Sequence, residues 1–172
     1  MSFRILAFCG SLRRNSMNAA LLRAAARLAP PGIRVDSIAL GELPLFNPDL
    51  EAELPAPVRR LHAAIEQCTA LLIASPEYAH GVTGTLKNAL DWLVSFEGFV
   101  GKPVAIFNAS PRSLHADASL REILTTMSAR IVEPACLALP LRGLALGEDA
   151  MVASAHAPAI RAALRQLCGD DA

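Results

Sequence analysis

Ten residues near the start of the chain, Cys9-Gly10-Ser11-Leu12-Arg13-Arg14-Asn15-Ser16-Met17-Asn18, concentrate groups that hold an anion. Ser11, Ser16 and Asn18 bring hydroxyls and an amide, and Arg13 and Arg14 bring two guanidiniums. An apolar run from Phe3 to Phe8 precedes them and reads as a buried strand. A helical pattern with Leu21, Ala25 and Leu28 on one face follows. The first N–H groups of a helix have no partner inside it, and the macrodipole adds partial positive charge there. No Asp or Glu occurs before Asp36, whereas Arg4, Arg13, Arg14, Arg23, Arg27 and Arg34 all do. The whole chain is neutral, with 16 basic and 16 acidic residues, so this imbalance is local. A phosphate is the guest that such a loop suits.

The loop is not a P-loop, which needs a Gly-Lys-Ser/Thr ending, and it lacks the three glycines that admit a pyrophosphate. Only Gly10 is present. Hydroxyls, an amide and arginines wrap a terminal phosphate instead, which favours a mononucleotide, with FMN as the leading candidate. The plain alternative is an N-capping Ser16 beside solvated arginines.

A second loop, Ser75-Pro76-Glu77-Tyr78-Ala79-His80-Gly81-Val82-Thr83-Gly84-Thr85, follows the apolar run Ala70 to Ala74 and holds the only tyrosine. Its backbone N–H groups could meet the edge of a planar ring, and an aromatic could pack on the face. The alternative is an ordinary loop in which Thr83 or Thr85 caps the next helix. A third loop, Asn108-Ala109-Ser110-Pro111-Arg112-Ser113-Leu114-His115, adds Ser110 and Arg112. Two readings stand for Arg112, a contact to cofactor phosphate and a solvated side chain. Glu77 and His80 are the titratable groups nearest the ring loop, with His80 favoured as structural. His62, His115 and His156 read as solvated positions on helices or helix starts.

These loops need a scaffold that brings them together. Strands are expected at about Arg4 to Cys9, Arg34 to Ala39, Ala70 to Ala74, Val104 to Asn108 and Pro134 to Leu139. Helices are expected at about Met17 to Ala29, Ala56 to Gln67, Thr83 to Val94, Ala116 to Ala129 and Ala157 to Leu167. A Pro-rich connection runs from Leu43 to Pro57. Five alternating β-α units imply an α/β fold, a parallel sheet with helices on both faces. In strand order 2-1-3-4-5, ligands sit where the order reverses, beyond the carboxyl ends of strands one and three.

The chain resembles the NADPH-dependent FMN reductases, a family that includes quinone, chromate and azo-dye reductases. The likeness rests on Gly10-Ser11-Leu12-Arg13 with Ser16 and Asn18, on Leu43-Pro44-Leu45-Phe46-Asn47 and on Pro76-Glu77-Tyr78. It continues through Gly84-Thr85-Leu86-Lys87-Asn88-Ala89-Leu90-Asp91-Trp92. The resemblance implies a flavodoxin-like three-layer sandwich built on a five-stranded parallel sheet. It implies that Ser11, Arg13, Ser16 and Asn18 hold the FMN phosphate. It implies that Pro76, Glu77, Tyr78, Ala79, His80 and Gly81 cradle the isoalloxazine. It implies hydride transfer from NADPH or NADH to FMN and on to a quinone-like acceptor, with no catalytic side chain needed. The chain departs from the family at Ala79, often Asn, at Thr83, often Pro, and at the third loop, commonly Gly-rich. An FMN-binding electron carrier without nicotinamide turnover is the alternative, although such carriers are usually strongly acidic.

Bulk properties set the frame. The length of 172 residues, with 53% apolar and 19% charged, fits one domain spanning 1–172. Zero net charge argues against a nucleic-acid partner, and no apolar run is long enough for a membrane span. The chain begins directly on a strand, without the pattern of a signal peptide. Four widely spaced cysteines match no metal motif. A reduced, cytoplasmic protein without a metal is expected. Leu86, Ala89, Leu90 and Leu93 form a core stripe, while Trp92, Phe96, Phe99 and Val100 point elsewhere. This second set suggests an apolar outer face and a homodimer or a dimer of dimers.

Overall fold

The computed structural model describes residues 3–110, 112–141 and 147–169. β1 (Phe3–Cys9), β2 (Ile33–Ser37), β3 (Ala70–Ala74) and β6 (Pro103–Asn108) form the continuous part of a parallel sheet in the order β2-β1-β3-β6. Between β3 and β6 lies a separate hairpin, β4 (Glu77–Tyr78) with β5 (Gly81–Val82). The helices are α1 (Met17–Leu28), α2 (Ala56–Gln67), α3 (Gly84–Asp91), α4 (Leu114–Thr126), α5 (Glu148–Val152) and α6 (Ala157–Cys168).

Alternation along the strands sends side chains to two cores. Ile5, Ala7, Leu72, Ala105 and Phe107 meet Leu21, Ala25 and Leu28 of α1 and Ile160 and Leu164 of α6. Leu6, Phe8, Leu71, Ile73, Val104 and Ile106 meet Leu61 and Ile65 of α2, Leu86 and Leu90 of α3 and Leu120 of α4. β3 is buried throughout because both its faces are covered. The arrangement is the expected flavodoxin-like three-layer sandwich.

The fifth strand differs from the expected Pro134 to Leu139. It is two fragments, β7 (Arg130–Ile131) and β8 (Leu137–Ala138), both parallel to β6. A 3-10 turn at Glu133–Ala135 separates them. Pro134 lacks an N–H and cannot extend a ladder. The Ile106 N–H donates to Cys136 Sγ at 3.4 Å, so a thiol sulfur stands where a strand carbonyl would.

The expected aromatic outer face is also corrected. Trp92 is 2% exposed and Phe99 is 1% exposed. The connection after β2 folds over Trp92, and α2 packs against the turn that carries Phe99. Trp92 Nε1 and Asn88 Nδ2, one helical turn apart, both donate to the Pro44 carbonyl, at 2.8 and 2.9 Å. Asn88 Oδ1 accepts the Phe46 N–H at 2.8 Å, and the Phe46 ring meets the Trp92 indole edge-on. Phe96 stacks on His62, whose Nε2 lies 2.9 Å from the Trp92 carbonyl, so His62 is packed rather than solvated. Trp92, Phe96 and Phe99 therefore pack into this chain's own interior, while Val100 stays 64% exposed. Among the described residues no helix is long and apolar enough to cross a membrane, and no group of three candidate ligands could hold a metal ion.

Trp92→Ala should destabilise the fold by about 3–5 kcal/mol, the usual cost of deleting a buried aromatic. Val94→Ser, at a position 65% exposed two residues on, should stay within about 0.5 kcal/mol of the parent. Urea unfolding of the two variants tests the contrast.

Candidate functional site

The site is organised around a close approach of two loops. The Gly10 N–H donates to the Ala74 carbonyl at 2.9 Å, carrying β1's ladder one residue past its end. Thr83 Oγ1 donates to the Gly10 carbonyl at 2.7 Å and accepts the Leu86 N–H, capping α3. A Cβ at position 10 would lie 2.1 Å from Ser75 Oγ and 2.6 Å from Ser75 Cβ. Only glycine fits there. Thr83 is 3% exposed and joins the first loop to α3.

Beyond Gly10 the chain turns into α1. Ser16 is the N-cap, and its Oγ accepts the Ala19 N–H at 3.2 Å. Its own O–H remains able to donate. No acid lies in the first turn. Asn18 is 8% exposed, and its Oδ1 is buried with no partner among the described residues. Leaving such a group unpaired costs about 1–3 kcal/mol. Rotation of the amide exchanges oxygen for a donor nitrogen, so a buried anion would satisfy it. Among the described residues no carboxylate pairs with Arg13, Arg14 or Arg112, whereas Arg4, Arg23, Arg27, Arg34, Arg60 and Arg121 all have acidic partners.

The second loop is the hairpin. Its turn residues, Ala79 and His80, both have positive φ, 49° and 58°. Two such residues in a two-residue loop are the mark of a type I′ turn, where Asn-Gly is preferred. Ala79 therefore holds a conformation that asparagine tolerates better. Glu77 anchors the hairpin. One carboxylate oxygen accepts the Ala116 N–H at 2.9 Å, and the other lies 3.2 Å from His80 Nδ1. The Ala116 amide, with help from His115 and His80, holds the Glu77 carboxyl below the usual range against partial desolvation. The His80 and His115 rings meet edge to face at 4.4 Å.

In the third loop, Asn108 Oδ1 accepts the Ser110 N–H at 2.9 Å and Asn108 Nδ2 donates to the Ser113 carbonyl at 3.3 Å. The Ser113 N–H returns to the Ser110 carbonyl. Asn108 thus shapes this turn with its side-chain amide. Pro111 lies outside the described residues.

The three loops enclose a cleft of about 560 Å³ at the carboxyl end of the sheet. Arg13, Met17 and Asn18 line one part of it, Ser75 to Tyr78 another, and Ala109, Ser110, Arg112 and Ser113 a third. Of the residues singled out in the sequence, Arg13, Asn18, Pro76, Glu77, Tyr78, Ser110 and Arg112 come together there. Ser11, Ser16, Ala79, His80 and Gly81 are not on its lining. Ser11 Oγ accepts the Arg13 backbone N–H at 3.4 Å, while Ala79 and His80 form the hairpin tip. Met17, Ser75, Ala109 and Ser113 line the cleft without having been singled out. For Ser75, Ala109 and Ser113 the available signal was a small residue within a few positions of a strand's carboxyl end.

A sheet of this order places a ligand cleft at its switch point, beyond the carboxyl ends of β1 and β3. The model of the family described as NADPH-dependent FMN reductase matches residues 3–142, and the chain belongs to that family. It is 41% identical over 110 residues to an NAD(P)H-dependent FMN reductase of Pseudomonas aeruginosa, covering 62% of this chain and 60% of that protein. It is 32% identical over 137 residues to a quinone reductase of Escherichia coli, covering 75% and 73%. The match thus spans about three fifths of the Pseudomonas protein and more of the Escherichia one. Among solved structures, the flavoenzyme NAD(P)H:acceptor oxidoreductase FerB of Paracoccus denitrificans superposes with a TM-score of 0.76 at 26% identity, over 96% of this chain and 97% of that one.

Two outcomes follow from this geometry. Gly10→Ala should destabilise the protein by about 1–3 kcal/mol through overpacking against Ser75, measured by denaturant unfolding. Glu77 has a depressed folded pKa, so its stabilisation is present above its unfolded pKa and fades as pH falls through the folded value. The stability gap between the parent and Glu77→Gln should be present at pH 7 and close in acid below the ordinary carboxylate range. Thermal unfolding across that pH range checks the sign.

Proposed function

We propose that the protein is an FMN-containing oxidoreductase that takes a hydride from NADPH or NADH and delivers it to a quinone-like or other small acceptor. The observation that carries this reading is the buried, unpartnered Asn18 Oδ1 at the acid-free start of α1, on a cleft large enough for a cofactor. The relatives' names support the same chemistry.

The residues present fit FMN. Arg13, Asn18 and the Ser16 hydroxyl would take the phosphate, with the first N–H groups of α1 behind them. The backbone from Pro76 to Tyr78 would meet the edge of the ring, and the Tyr78 ring, 53% exposed, would be free to cover it. FMN supplies the hydride-accepting and hydride-donating centre. The protein's part is to orient the ring, leave one face open to nicotinamide and acceptor in turn, and hold the charge at the phosphate end. Arg112 lines the same cleft from the third loop, on the wall that would flank the ring.

The test is the absorbance of the purified protein reconstituted with FMN. Flavin bands should appear and should bleach anaerobically on mixing with NADPH or NADH, then return on adding a benzoquinone. Flavin bands that neither nucleotide bleaches would return the protein to the electron-carrier reading. Arg13→Ala should weaken FMN binding by about 1.5–3 kcal/mol, the worth of a charge-assisted hydrogen bond. Fluorescence titration of FMN reads it, and an unchanged dissociation constant would remove Arg13 from the phosphate site.

A further inference from the structure

Helix α4 begins without a cap of its own. Its N-cap residue, Ser113, makes no side-chain hydrogen bond to the first turn. The bond that Ser113 lacks comes from another element, because Glu77 of β4 accepts the Ala116 N–H in that turn. The second oxygen of the same carboxylate lies against His80 at the hairpin tip, and His80 in turn meets His115 on α4. The Glu77 side chain is 13% exposed and borders the cleft.

The two walls of the cleft that flank the expected ring position are the hairpin, with Tyr78, and the third loop, with Ser110 and Arg112. No strand pairing joins them, for β4 and β5 form a sheet of their own. The hairpin turn carries positive φ at both Ala79 and His80, a backbone cost that only two strand pairings offset within the hairpin itself. Glu77 is the side chain that ties one wall to the other by a charged hydrogen bond.

We infer that Glu77 is a positioning residue that fixes the spacing of these two walls and so determines affinity for the flat ring of the cofactor, not for its phosphate. The inference rests on the FMN reading for its ligand, but its structural half does not. Without the carboxylate, the start of α4 loses its cap and the hairpin loses its hydrogen bond to that helix, leaving only the packing of β4 and β5 against α4. An amide at the same position still offers an oxygen to the Ala116 N–H.

The experiment compares the parent with Glu77→Ala and Glu77→Gln, first without ligand. Hydrogen–deuterium exchange should rise in Glu77→Ala in two places at once, residues 77–82 and the first turn of α4, with β1 and β3 unchanged. Glu77→Gln should restore most of the protection. Binding is then measured with riboflavin, FMN and inorganic phosphate. Glu77→Ala should weaken riboflavin and FMN by a similar factor, about tenfold or more, and leave phosphate affinity as in the parent. A general loss of structure would weaken all three and spread the exchange across the sheet. Unchanged exchange at either segment, or parental riboflavin affinity in Glu77→Ala, would overturn the inference. If the parent itself binds neither flavin, the cofactor reading falls, and the paired change in exchange still decides whether Glu77 couples the walls.

Discussion

The contact of Gly10 with Ser75 and Thr83 is the constraint on which the rest of the structure turns. Two parallel strands run side by side and must then diverge, one into α1 and the other toward the hairpin and α3. The divergence opens a cleft only if the backbones stay in contact up to the last residue. The missing Cβ at Gly10 allows that contact, and the Thr83 hydroxyl fastens it by donating to the Gly10 carbonyl while capping α3. One side chain thereby fixes the start of a helix and the mouth of the neighbouring loop.

Much of this was legible in the chain. β3 and α2 fall where the apolar run and the helical period of Val58, Leu61 and Ile65 place them, because burial on two faces or one leaves a clear pattern. The capped, acid-free helix start after residues 10–16 was legible too, since it depends on local residue types. What could not be read was whatever depends on residues distant in sequence. Trp92 and Phe96 look outward on a helical wheel, yet Pro44 and His62 cover them from 48 and 34 positions away. The hairpin was hidden because Ala79-His80 is a poor sequence for a type I′ turn. The cap on α4 was hidden because it comes from Glu77, 39 residues earlier.

The broken fifth strand has a consequence for how the molecule behaves among its own copies. A parallel sheet ends in two open borders, and a long straight border invites another chain to add a strand. Here the β7–β8 border is two pieces of two residues, interrupted by a proline turn and a sulfur in the ladder. The opposite border, β2, is five residues long and carries Arg34 and Asp36, ion-paired at 2.7 Å. One border of the sheet is thus broken and the other charged, and both features discourage strand addition by another copy of the chain.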